Sequence, residues 1–156
     1  MTNGRPRTQL GEMPTVTHVC ESRFRVRSYE LDGFQHLNHT VFLSWFEQAR
    51  FDAFEQGGFP APEIQARGWG VYVVKLEVEF MKEAHLGDEL VVRTRVAELG
   101  RTSMTFHQVA AAARTPDLAS AEARVRAVWV GPDRKPARIP TEVRAALGDP
   151  VAKLHP

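Results

Sequence analysis

The chain has 156 residues, a formal net charge of +1, 43% hydrophobic and 25% charged residues, and one cysteine, Cys20. That length predicts one domain able to bury a proper core, and the near-neutral balance gives no reason to invoke nucleic acid or an anionic membrane surface. A lone cysteine excludes an internal disulfide and fits a reducing compartment.

Residues 1–14 carry Gly4, Pro6, Gly11 and Pro14 and predict a flexible tail. They lack the apolar run of a secretory signal, and no window approaches the ~20 apolar residues of a membrane helix, so a cytoplasmic location is expected. A single domain is expected over 15–148, with a second tail at 149–156. From Thr17 to Glu30 the pattern alternates: Cys20, Phe24 and Val26 share one parity and Glu21, Arg23, Arg25 and Arg27 the other. This predicts a strand with one wet face.

The period then changes. Val41, Phe42, Trp45, Phe46, Ala49, Ala53 and Phe54 recur at spacings of three and four up to Gly57-Gly58, which predicts a helix over about 40–56. Leu43 and Phe51 widen its apolar face, so cover on more than one side is expected. Glu63 to Arg67 predicts a short helical turn. Four strands follow, around 74–80, 90–96, 103–113 and 119–130, with short links at Leu86-Gly87-Asp88, Leu99-Gly100-Arg101 and 114–117. Links that short predict antiparallel hairpins, because parallel neighbours need a crossover of a dozen residues or more. Residues 132–140 hold three prolines and read as a loop before a terminal helix over Thr141–Leu147, capped by Thr141. Strand, long apolar helix and a run of antiparallel strands define the α+β class, with a sheet of five or more strands curled around one helix.

The segment ELDGFQHLNHTVF, which opens the long helix, carries more polar groups than a helix start needs. Each has an ordinary explanation: Asp-Gly is a turn signal, Asn38 is a good N-cap, and histidines near a helix start are commonly structural. Together they suggest chemistry. Asp32 lies between a strand and a buried helix, among Phe34, Leu37 and Phe42, surroundings expected to raise its pKa. Unpaired N–H groups at a helix N-terminus can hold a developing oxyanion. Glu47 and Arg50 have the spacing of an intrahelical pair, although Glu47 could instead reach a ligand if that face meets a second subunit. Gly100-Arg101-Thr102-Ser103 offers a cation and two hydroxyls that serve either a hairpin or a phosphate. The remaining histidines show no ligand spacing with one another or with Cys20, so no metal is expected. No Gly-rich phosphate loop or G-x-S-x-G elbow is present.

The segment D-G-F-Q-H-L-N-H-T-V-F followed by L-S-W-F-E-Q-A-R resembles the 4-hydroxybenzoyl-CoA thioesterase-like family of hotdog-fold acyl-CoA thioesterases, whose pattern is close to D-x-x-G-H-x-N-N-x-x-Y and then E-x-A-R. Asp32, His36, Asn38, Glu47 and Arg50 fall in register. V-V-K-L-E-V-E-F, L-G-D-E-L and L-G-R-T-S resemble the family's later strands and turns, so the match runs from about residue 22 to 131. Gln35 stands where the motif has glycine, His39 replaces its second asparagine and Phe42 its tyrosine.

The resemblance implies a hotdog fold and hydrolysis of an acyl-CoA thioester to free acid and CoA. Asp32 would be nucleophile or general base, and backbone N–H groups around Asn38 and His39 would polarise the carbonyl. His36, Phe42 and Glu47 would contact substrate. The CoA phosphates would lie near sheet turns, with Arg101, Thr102 and Ser103 the candidates here. It further implies a homodimer or homotetramer and no metal or redox cofactor, coenzyme A being part of the substrate. A hydratase or dehydratase pairing His36 or His39 with Glu47, and a non-catalytic acyl-CoA-binding module, are the alternatives on the same scaffold.

Overall fold

Phe42, Trp45, Phe46, Ala49, Ala53 and Phe54 line one side of helix α1, His39–Gln56, and are all buried. In this computed structural model, which describes residues 18–148, α1 lies in the hollow of one antiparallel sheet. The strands are β1 (Cys20–Arg25), β2 (Gly70–Phe80), β3 (Glu89–Leu99), β4 (Ser103–Ala112) and β5 (Ala119–Val130). Two short helices, α2 (Ala61–Ala66) and α3 (Thr141–Ala146), complete the described chain. Both predicted tails, 1–14 and 149–156, lie outside the described residues.

The period-two pattern sets which face of each strand meets α1. Leu90 and Val92 of β3, Met104 and Phe106 of β4, and Val125, Ala127 and Trp129 of β5 join the helix in a single core. Burying each large side chain of this group stabilises by roughly 1.5–3 kcal/mol, and truncating Phe46, which is fully buried, to alanine would cost about 3–5 kcal/mol. On the outer face, Arg124 pairs with Glu98, and His107 lies 2.6 Å from Glu122 and 3.2 Å from the Arg95 Nε. The outer face is therefore a charged network, within which His107 and Glu122 are themselves buried.

Helix and sheet are also joined by one buried amide. Gln108 Nε2 donates to the Phe46 carbonyl and to Thr94 Oγ1, both at 2.9 Å, and its Oε1 accepts from Arg50 at 2.9 Å. Arg50 is thus held by the sheet instead of by Glu47, and burial pushes its guanidinium pKa down, against the opposing effect of the Glu47 charge.

Two expectations need correction. The sheet order is β1-β3-β4-β5-β2, so the link after β2 does not make a hairpin: β2 pairs with β5, at the other end of the run. Alternation fixes which face a residue takes, but not which strand lies alongside, and the curl of the sheet brings distant strands within reach of a short connection. Thr141 is the first residue of α3 and makes no cap, the flanking position being Pro140. Proline fixes φ at the entry to the helix but supplies no side-chain acceptor for its first N–H groups.

The order leaves β2 as an edge. Its register with β5 breaks between Val73 and Lys75, and Tyr72, Val73, Val74, Leu76 and Phe80 all stand exposed. Among the described residues nothing pairs with its outer side. An edge of 11 residues with that much apolar surface is a place where proteins recruit another strand.

Candidate active site

The loop between β1 and α1 is fixed at every turn. Leu31 and Leu37 form an isolated antiparallel bridge, and between them the Asp32 N–H donates to the His36 carbonyl at 2.8 Å. Farther out, the Leu37 N–H reaches the Ala84 carbonyl (2.8 Å) and the Asn38 N–H reaches that of Glu30 (2.9 Å). Within the bridge, Gln35 has φ +65°. That left-handed backbone favours glycine, the residue that the resembled motif carries at this point. The substitution keeps the turn and leaves it strained.

Asp32 closes the loop with one oxygen. Its Oδ1 accepts from the Phe34 N–H (2.8 Å) and the His36 N–H (3.2 Å). The His36 N–H, followed by that of Phe34, holds the carboxyl below the usual aspartate range. This corrects the expected upward shift: two amide donors stabilise the anion more than its partly apolar surroundings disfavour it. Oδ2 makes no hydrogen bond among the described residues.

Asn38 is the N-cap of α1, its Oδ1 accepting from the Thr40 N–H (2.9 Å) and from Thr40 Oγ1 (2.8 Å). With its own N–H given to Glu30 and that of Val41 to the Asn38 carbonyl (2.9 Å), the first turn has one free donor. The His39 N–H makes no hydrogen bond among the described residues. It sits at the positive end of an 18-residue helix, where partial charge favours an anion. Of the two amides expected to polarise a carbonyl, Asn38's is already engaged and His39's is available.

Asp32, His36, His39 and Phe42 line one groove of about 270 Å³, whose other wall includes Phe80 and Met81. His39 and Phe42 both lie against the Phe80 ring, at 6.1 and 5.8 Å between centroids. Phe80 and Met81 escaped the sequence reading because they look like the end of an ordinary strand, and only the edge position of β2 leaves them open.

Glu47 lies elsewhere. With Arg50, Phe51, Phe54, Ile64 and Trp69 it lines a second cavity of about 270 Å³ between α1, α2 and the start of β2. Phe51, expected to be covered, remains exposed there. Arg101, Thr102 and Ser103 lie at the β3–β4 turn, where the Arg101 and Thr102 carbonyls accept from Ile139 and Trp129. Ser103 is level with Val128 and Tyr72, whereas Ala121 is level with Phe80; strand rise therefore puts that turn about 23 Å along the sheet from the Asp32 groove. Beside it Lys75, Arg124, Arg126 and Ser103 border an outer-face hollow of about 600 Å³. A single chain thus does not gather all the predicted site residues.

A hotdog sheet wrapped on one helix, with an acidic loop at the helix mouth, is the architecture of a thioesterase-like domain. Residues 26–147 match the sequence profile of the Thioesterase-like superfamily, and the chain belongs to that family. It is 31% identical over 127 residues to the acyl-CoA thioesterase YbgC of Haemophilus influenzae, covering 80% of this chain and 92% of that protein. It is 28% identical over 130 residues to the chloroplastic acyl-acyl carrier protein thioesterase ATL2 of Arabidopsis thaliana, covering 82% and 68%. A hypothetical protein of Thermus thermophilus, known from its crystal structure, superimposes with a TM-score of 0.76 at 31% identity, covering 82% and 96%.

Proposed function

We propose that the protein is an acyl-CoA thioesterase in which Asp32 attacks the thioester, and that its working unit is a dimer built on β2. The observation that carries this reading is that Asp32 and His39 line one groove and that, among the described residues, neither Asp32 Oδ2 nor the His39 N–H makes a hydrogen bond. The names of the relatives support the substrate class. Oδ2 would add to the thioester carbon, the carbonyl oxygen would take the charge beside the His39 N–H, and the CoA thiolate would leave. Water would then hydrolyse the acyl-aspartyl anhydride to free acid and restore Asp32. A carboxylate whose pKa is lowered is ionised at neutral pH, the state that attack on the thioester requires.

The edge strand supports a dimer. β2 runs from the Glu47 cavity at Gly70 to the Asp32 groove at Phe80. Two copies of β2 paired antiparallel about a twofold axis would set the Gly70 end of one against the Phe80 end of the other. The Asp32 groove would then adjoin the Glu47 cavity of the partner subunit, making one longer channel for the acyl chain, and would lie nearer the partner's Arg101 turn. Within one chain Glu47 and the histidines line separate cavities, so a hydratase pair of His36 or His39 with Glu47 would form only across the dimer.

The test is thiol release from acyl-CoA substrates of graded chain length. Asp32→Asn should lose 10²-fold or more of turnover, as expected on removal of a nucleophile or general base, roughly 10²–10⁴. Asn keeps an oxygen for the Phe34 and His36 N–H groups, so the loop should survive. Hydrolysis by the variant at near the parent rate would defeat the assignment. Detection of an acyl-Asp32 adduct by mass spectrometry of enzyme quenched during a single turnover separates nucleophile from base, whichever carbonyl water attacks.

A further inference from the structure

We propose that His36, Glu83 and His85 form a binding site for a divalent transition-metal cation such as Zn²⁺, at the rim of the Asp32 groove. The three residues come from two loops, His36 from the turn before α1 and the other two from the link between β2 and β3. The inference stands on coordination geometry alone and does not depend on the thioesterase reading.

His36 Nε2 lies 3.1 Å and His85 Nε2 3.7 Å from the same oxygen, Glu83 Oε2. Two ligand atoms bound at ~2.1 Å to one tetrahedral cation sit roughly 3.4 Å apart, midway between those values. The three ligand atoms all lie within 4.8 Å of one another, and no other group of this kind occurs among the described residues. The rings meet edge to face, 5.3 Å between centroids; His36 is half-buried and Glu83 and His85 are exposed, so the third distance closes by side-chain rotation at the surface. An ion pair would use one imidazole. A second imidazole converging on the same carboxylate oxygen is what a shared cation requires.

The other nitrogen of His85 lies near a second carboxylate, although beyond hydrogen-bond distance. Its Nδ1 faces Asp88 Oδ2 at 3.9 Å, and the same oxygen accepts the His85 backbone N–H at 2.9 Å. A carboxylate behind the distal nitrogen of a metal-binding histidine commonly orients the ring and strengthens it as a ligand. Two imidazoles and a carboxylate suit Zn²⁺ or Cu²⁺ better than Mg²⁺ or Ca²⁺, which prefer all-oxygen sites. With three protein ligands the cation would keep an open position.

The test is a competition titration of Zn²⁺ between the chelator-stripped, tag-free full chain and a chromophoric chelator. The parent should bind one equivalent, and His85→Ala and Glu83→Gln should each weaken binding by at least ~10-fold. His39→Ala, which removes a nearby exposed histidine outside the cluster, should bind like the parent. Melting curves without metal should coincide for parent, His85→Ala and Glu83→Gln, and added Zn²⁺ should raise the melting temperature of the parent alone. Binding unchanged in both cluster variants, or weakened equally in His39→Ala, would overturn the site. So would a parent that takes up no stoichiometric Zn²⁺. Since the readout is metal uptake, a failed thioesterase assay leaves it unaffected.

Discussion

Val74→Lys tests the edge strand and the composite site together. Val74 is 59% exposed and lies at the break in the β2–β5 register. It has no ladder partner on β5, so the substitution should change the stability of the folded chain by no more than about 0.5 kcal/mol. Fully burying a valine gains about 1.5 kcal/mol, so covering the exposed part of this one is worth about 1 kcal/mol per copy. In a twofold interface the loss counts twice, giving about 2 kcal/mol, or roughly a 30-fold rise in the dimer dissociation constant. Lysine beside the Lys75 pair adds repulsion, and charged edge residues are a common guard against strand pairing. Sedimentation velocity across a dilution series should show the variant dissociating at concentrations where the parent remains dimeric, and acyl-CoA hydrolysis should fall along the same curve. A dissociation constant within about threefold of the parent's would refute the interface, since a 1.4 kcal/mol change is already tenfold. A monomer with full activity would refute the shared site while leaving the interface standing.

Three further outcomes follow from the loop and the turn. Because the Asp32 pKa is lowered in the folded chain, its ionic contribution to stability is fully present above the ordinary value of about 3.9 and fades as pH falls through the folded value. The acid limb of the kcat/KM profile should accordingly lie below about pH 4, and a midpoint above about 5 would contradict the hydrogen-bonded carboxylate. Gln35→Gly relieves the left-handed backbone at φ +65°; a steric gain of about 1–2 kcal/mol, less about 0.5–1 kcal/mol for the extra chain entropy of glycine, leaves a net gain below about 1 kcal/mol and should raise the melting temperature by about 1–3 °C, and a fall would show that the Gln35 side chain holds the loop. Arg101→Ala should raise KM for acyl-CoA yet leave a short thioester lacking the nucleotide unaffected, whereas equal loss on both would place the phosphates elsewhere.

Local chemistry determined much of this protein from sequence alone. The three- and four-residue spacing from Phe42 to Phe54 fixes α1 and its buried side, and Asn38 fixes its start, because helical period and capping are properties of neighbours in the chain. Alternation in β3, β4 and β5 likewise fixes the inner and outer faces, and the D-G-F-Q-H-L-N-H segment marks the loop that holds Asp32. Tertiary structure decided what depends on distance through space. It placed β2 at the edge beside β5, opened Phe80 and Met81 to the Asp32 groove, and set Glu47 and Arg101 apart from it. It lowered the Asp32 pKa through the turn's own amides, and it brought His36 against Glu83 and His85. Strand order and loop encounters arise from closing the sheet around α1, and the one-dimensional pattern of apolar residues carries no record of that closure.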